Sequence, residues 1–493
     1  MSNDFYNSTS VPAARATLAS SVMRGAFALI EAGFSKLPTM TANGRKIWRT
    51  NAAGTAAEAL NAQDIGFFVL AEQYGAAGTG LVVDTPELQD ALDAAEAAGG
   101  GVVWLKSGAT YKIDESLIIA DRCGLMSDGT AKLIGYAADF SNTSLAAGDR
   151  YGTDAIFVNM SGLTTAPYTQ AVAPFVIGVQ MEYVTDSTEL VCGAIACRNV
   201  LNAVIEDCEI FGFPVGCGVR GATMDGGRIV NNIIRDFADD HDWSAQAPSF
   251  PQLTGIEIDN DRVNSVSSDG VLIHGNKVTS LVLGATAVAA HGDQTDGINI
   301  VYWSSCCHRI TDNYISDVGE GIDHFGGSSV IAGNVVKNAG IFGIKLVNGA
   351  RLNVVSGNTV ENFGLGGITI AGTSVAGAAA DSTIPHTELN TITGNVVNEG
   401  NYNGLYTASA NACMYIIDNG GGKLPKNNIA TGNTFREGPA GKNCWYDSST
   451  GTGNIGEGNS LITGAANQRR VNVVSGAGSC RLVGTATYET NLV

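Results

Sequence analysis

The sequence predicts an all-β solenoid, a parallel β-helix, on three observations. Between Arg309 and Gly372 the segments RITDNYISDVGEGIDHFGG, SVIAGNVVKNAGIFGIKLVNG and RLNVVSGNTVENFGLGGITIAG repeat one pattern of an Asn, an apolar pair, a polar link and a Gly-Ile. Aligned on Asn313, Asn334 and Asn358, the copies lie 21 and then 24 residues apart, a solenoid period. Inside each copy the runs are short, β-branched and alternate every two residues, as in Gly343-Ile344-Lys345-Leu346 and Gly367-Ile368-Thr369-Ile370, which is a strand pattern. No copy can bury its apolar face alone, so the copies must stack, climbing roughly 4.8 Å per rung.

The recurrent Asn is expected to tolerate the left-handed backbone of a sharp corner and to hydrogen-bond along a ladder. The same corner is read at Asp207, Asn232, Asn276, Asn395 and Asn433, so the repeat spans most of residues 190 to 440. The intervals outside the regular centre, 25, 44, 37, 37 and 38 residues, stand for either unmarked second rungs or loop insertions.

A chain of 493 residues with 63 Gly, 11 Pro and 44% hydrophobic residues suits one long core with many tight corners. Its formal net charge of −19 argues against nucleic acid or an anionic membrane surface as general partners. No stretch of apolar residues is long enough to span a bilayer, and MSNDFYNSTS lacks the features of a secretory signal. The ten cysteines, apart from adjacent Cys306 and Cys307, are scattered without metal-ligand spacing and read mainly as small interior hydrophobes. No cofactor or metal is expected.

In chain order, residues 12 to 37 place Leu18, Val22, Ala26, Ile30 and Phe34 on one helix face before Pro38 stops the pattern. With little core of its own to join, this helix is expected to dock on copies of the chain or on another protein. GRKIWRTNAAGTAAEALNAQDIGFF then reads as a short strand, a Gly turn and a small helix, closing an adaptor over residues 1–75. The β-helix is expected over 76–455. It opens with a helix carrying Leu88, Leu92 and Ala95, then Gly99-Gly100-Gly101 and short strands.

That opening carries a resemblance. An Ala-rich helix, the triple Gly, Val102-Val103-Trp104-Leu105, Gly108 to Ile113 as G-x-T-Y-x-I, and Asp128-Gly129-Thr130 resemble the start of the pectate-lyase-like right-handed β-helix superfamily, as found in phage tailspikes and tail fibres. AGFSKLP at Ala32 to Pro38 and NAAGTAAEAL from Asn51 resemble the virion-attachment region of phage tail proteins. Together the resemblances cover nearly the whole chain. They imply a right-handed coil with its open end capped by the helix. They also imply a homotrimer in the virion, made in the host cytoplasm and held by tail or baseplate proteins through its N-terminal region. Such a protein recognises, and often cleaves, a bacterial surface polysaccharide. Residues 456–493, where the repeat fades into strands and polar turns, are expected either to knit three chains together or to form a plain cap.

Stacking turns the alignment into a map. Setting Gly297-Ile298-Asn299-Ile300 on Gly321-Ile322-Asp323-His324 puts Asp296 over Glu320, Asn299 over Asp323 and Asp293 over Asp317. Stacked carboxylates about 5 Å apart repel, and one pKa must rise. A raised and a normal carboxylate side by side are what glycosidic cleavage uses. Asp293, Asp296 and Glu320 are therefore the expected acid/base set, with Asp323 in support; pairs three residues apart, such as Asp293 and Asp296, also resemble the carboxylate sets of polysaccharide tailspikes. Binding of a sugar or cation without chemistry, and a solvated acidic stripe, are the competing readings. Lys345, one rung on, is expected to hold a glycan acid group or to tune Asp323. Glu257 and Asn299 share the column of Asp323, an unknown number of rungs apart in the case of Glu257. Tyr302 and Trp303, with Trp243 and Phe250 in the insertion at 238–254, offer rings for stacking on sugars or merely anchor their loops. His324 falls in a column of apolar residues and should point inward; facing the groove, it would contact substrate and open a lyase mechanism. Three functions stay open: a tailspike depolymerase, a non-enzymatic receptor-binding fibre, and a bacterial β-helical lyase or epimerase.

Overall fold

The computed structural model describes strand residues 48–50 and 57–59, and residues 67–136, 156–161, 170–184, 193–213, 216–239, 253–260, 267–284, 295–374, 383–406, 411–438, 440–441, 443–463, 469–473 and 481–483. The chain divides into two compact units, Met1–Phe68 and Val69–Val493. In the first, Trp48–Thr50 pairs antiparallel with Ala57–Ala59, so the small helix expected after the Gly turn begins as a strand instead. The helix expected over 12–37 lies outside the described residues.

The second unit is a parallel β-helix. Its pairings from Thr79 onward are parallel, gathered into sheets of 24 and 14 strands. It begins with helix α1 (Thr85–Ala97), which buries Leu88, Ala91, Leu92 and Ala95 against the first strands. Pro86 fits its first turn, where an amide would have no helical partner. Within the triple Gly after it, Gly100 has no room for a side chain: at φ +124°, a Cβ there would sit 2.7 Å from Cβ of Arg122.

The strands that matter for the site are β1 (Cys217–Asp225), β2 (Leu253–Asp259), β3 (Thr295–Ile300), β4 (Tyr314–His324), β5 (Val335–Leu346), β6 (Gly366–Ala371), β7 (Ala412–Ile417) and β8 (Asn443–Asp447). β4 bends across two faces. Its start pairs with Lys277–Leu283 and its end with β3. One interior column runs Ile256, Ile298, Ile322, Ile344, Ile368, Met414 and Trp445. Another runs Ile205, Ile229, Ile273, Ile310, Ile331, Val355, Ile392 and Ala430. All are buried, each large aliphatic side chain contributing roughly 1.5–3 kcal/mol.

The Asn ladder exists, with two corrections. Asn232, Asn276, Asn313, Asn334, Asn358, Asn395, Asn433 and Asn459 are buried, and each Nδ2 donates to Oδ1 of the next at 2.9–3.0 Å. Because consecutive members bond directly across separations of 44, 37 and 38 residues, the long intervals are loop insertions within single rungs. The left-handed residue is not the ladder Asn but its predecessor, for example Asp312 at φ 57°, Gly333 at 68° and Gly357 at 64°. Asp207, at φ 56°, is likewise a predecessor. The ladder position belongs to Cys208, whose N–H donates to Asn232 Oδ1. A second ladder, Asn353, Asn390, Asn428 and Asn454, runs along another edge.

The parallel register also continues past the repeat's apparent end. Arg469–Val473 pairs with β8, and Arg481–Val483 with Ile455–Glu457.

Candidate active site

Every rung of the site strands carries a Gly-apolar-polar triplet or its variant. A Cβ on Gly321 would fall 2.4 Å from Gly343 O and from Val336 Cγ1; on Gly297, 2.6 Å from Gly321 O. Only glycine fits there, and this column locks the register of the residues beside it. The polar members form one column, Arg220, Glu257, Asn299, Asp323, Lys345, Thr369, Tyr415 and Tyr446. Following interior isoleucines, Asn299 and Asp323 point away from the core. Three residues earlier in each strand a second column runs Thr254, Asp296, Glu320 and Phe342.

The structure therefore pairs Asp296 with Glu320 and Asn299 with Asp323 as the alignment expects. Glu257 lies in the rung directly before Asn299. Asp293 falls outside the described residues, as do Trp243 and Phe250. One carboxylate oxygen from each of Asp296, Glu320 and Asp323 lies within 4.8 Å of the others. Asn299 Nδ2 donates to Asp296 Oδ2 at 2.6 Å. Lys345 Nζ reaches back to Glu320 Oε2 at 2.6 Å and Asp323 Oδ2 at 3.0 Å. Its charge is thus spent inside the cluster, on Glu320 and Asp323.

The cluster is nearly closed to solvent, Asp296 being 1%, Glu320 3% and Asp323 4% exposed. Burial, then the neighbouring Glu320 and Asp323 carboxylates, raise Asp296 well above the usual carboxylate range. Burial also raises Asp323 to about 7, against the opposing pull of the Lys345 ammonium. Burial would lower Lys345, but Asp323 and Glu320 outweigh it and hold the ammonium protonated. Two acceptors beside the cluster, Asn299 Oδ1 and Asp323 Oδ1, are buried without a hydrogen-bond partner. Such atoms call for a donor such as a proton, a water or a hydroxyl.

His324 does not face this cluster. It is fully buried, its Nε2 is 3.3 Å from Asn353 Oδ1, and burial lowers it to about 4. It is a neutral core imidazole. Tyr302 and Trp303 are half-buried and stack on each other, centroids 4.1 Å apart. Sequence reasoning missed Arg220, whose Nε lies 3.1 Å from Glu257 Oε1 and ties Glu257 into an ion pair. The signal was available, since Gly218-Val219-Arg220 aligns with Gly255-Ile256-Glu257. Also missed were the stacked rings of Tyr415 and Tyr446, centroids 5.2 Å apart, in the same column.

No family model matches the chain. Over 51 residues it is 49% identical to the KN3 capsule-specific Depolymerase 1 of Klebsiella phage KN3-1, a stretch covering 10% of this chain and 6% of that protein. Over 103 residues it is 35% identical to mannuronan C5-epimerase AlgE1 of Azotobacter vinelandii, covering 19% of this chain and 7% of the epimerase. The matches thus span less than a tenth of either relative. Among solved structures, the catalytic unit of a GH87 α-1,3-glucanase from Streptomyces thermodiastaticus aligns with TM-score 0.57 and 16% identity over 85% of this chain and 70% of its own. The Dettilon tailspike aligns with TM-score 0.54 and 15% identity over 83% and 68%. The Streptococcus pneumoniae surface adhesin PfbA aligns with TM-score 0.52 and 15% identity over 85% and 98%. At these identities the likeness is one of fold, and that fold serves a hydrolase, a tailspike and an adhesin alike.

Proposed function

We propose that the chain is a phage tailspike that binds a bacterial surface polysaccharide and hydrolyses it at the Asp296, Glu320 and Asp323 cluster. The observation that carries the reading is the convergence of three carboxylates across two rungs, with burial favouring the protonated form of Asp296. In this reading Asp296 is the general acid. Asn299 donates to its Oδ2, so the proton belongs on Oδ1, from which it passes to the leaving glycosidic oxygen. Glu320 is the nucleophile that attacks the anomeric carbon. Carboxylate oxygens that converge within 4.8 Å leave little room for an intervening water, which supports retention of configuration. Lys345 positions Glu320 and balances its charge, and Asp323 shares the same ammonium. Asp293 is proposed as a further member of the set. The short stretch shared with a capsule depolymerase supports a capsule-type substrate.

The near-closure of the cluster favours a second reading, in which it is a buried ionic network in a receptor-binding fibre. For cleavage, the surface above Asp296 must open to admit a glycan. Incubating the protein with polysaccharide from a host that it binds separates the readings. New reducing ends support hydrolysis. Unsaturated products would point to a lyase, and binding without new ends to the fibre.

A further inference from the structure

None of the eight described cysteines is in a disulfide, and six of them are buried. The exceptions are neighbours. Cys306 is half-buried, Cys307 is exposed, and their Sγ atoms are 3.1 Å apart. The fold holds both main chains. Cys306 bridges Asp269 on one side and Gly327 on the other, its N–H donates to Asp269 Oδ1 at 2.9 Å, and its carbonyl accepts from Gly270 N–H at 3.0 Å. The Cys307 N–H donates to Gly327 O at 3.0 Å, and Cys307 itself is left-handed at φ 63°, a conformation that a non-glycine residue adopts at a cost. Neighbouring side chains in an extended strand point to opposite faces; here the left-handed residue turns the second thiol back toward the first.

We propose that Cys306 and Cys307 form a vicinal dithiol site, open to two-electron oxidation by peroxides or small disulfides and to bridging by a trivalent arsenical. Cys307, the exposed member, is the entry point. Its thiolate attacks one peroxide oxygen, the O–O bond breaks, and the products are a Cys307 sulfenic acid and a hydroxide that is protonated to water. Cys306 sulfur then attacks Cys307 sulfur. The S–S bond forms, the S–O bond breaks, and the departing hydroxide takes the Cys306 proton as a second water. Burial, then hydrogen bonds to Cys307 and Asp269, push Cys306 up to about 12, so this thiol stays protonated until the second step. The ring closes four residues after the stacked Trp303, in the same inter-strand segment.

The test uses the folded, reduced full chain. After hydrogen peroxide or oxidised glutathione, the peptide holding both cysteines should lose two hydrogens in mass and resist alkylation until reduced. Phenylarsine oxide should protect both thiols at one equivalent. Closure should be faster in the folded chain than in urea. C306S should instead carry a glutathione adduct on Cys307. A stable glutathione adduct or sulfonic acid on wild-type Cys307, with Cys306 still open to alkylation, would overturn the proposal. So would faster closure in urea.

Discussion

Replacing Lys345 by Met tests whether the cluster is a buried charge network or a surface pair. The ammonium bonds Glu320 and Asp323 and its side chain is 14% exposed, so Met keeps most of the volume and removes the only cation in contact with the three carboxylates among the described residues. Leaving buried charges unpaired costs about 3–5 kcal/mol at pH 7. The sign with pH follows from the raised acids. Asp296 and Asp323 have folded pKa values above their unfolded ones, so the folded state binds more protons and gains stability as pH falls toward the unfolded values. Removing the ammonium raises both further. Wild-type Asp323, at about 7, is itself half protonated at pH 7 and takes up the rest of that proton by pH 5, so the variant recovers only about 0.4 kcal/mol relative to wild type over those two pH units. The urea midpoint of K345M should therefore fall well below wild type at pH 7 and recover only slightly at pH 5. A loss below about 1 kcal/mol, the scale of an exposed pair, would refute the argument.

Further outcomes follow from other parts of the fold. In N334A, Asn313 loses the acceptor of its N–H and of its Nδ2, and Ile310 O loses its donor. With each orphaned group costing about 1–3 kcal/mol, urea denaturation should show a loss of at least that size, whereas an unchanged midpoint would make the ladder ornamental. Glu437 is raised to about 8, chiefly by burial, while its Oε1 accepts from Cys413 N–H. The folded state therefore keeps a proton that the unfolded state has lost, and stability should decline as pH rises toward 8, then level. E437Q should flatten that decline in thermal scans taken from pH 6 to 9; an identical slope would exclude Glu437 as its source.

The solenoid was legible because its period repeats in an ungapped centre, and the register of Asp296 on Glu320 because Gly-Ile triplets mark each rung. His324 was rightly placed inward by the apolar residues above it, Leu346 and Ile370. The left-handed corner was misplaced by one residue, since Asn313, Asn334 and Asn358 recur more strictly than the mixed Asp312, Gly333 and Gly357 before them. The second Asn ladder escaped notice because Ser329 takes its place in the rung before Asn353. Closure of the acid cluster and the double bond from Lys345 depend on side-chain packing, which one-dimensional spacing does not record.

The central claim is that the stacked acids cleave a glycan, and the most direct measurement is the rate of reducing-end release by wild type, D296N and E320Q on the polysaccharide that the protein binds. Both variants should retain glycan binding while losing about 100-fold or more in rate. Wild-type rates in both would contradict the account.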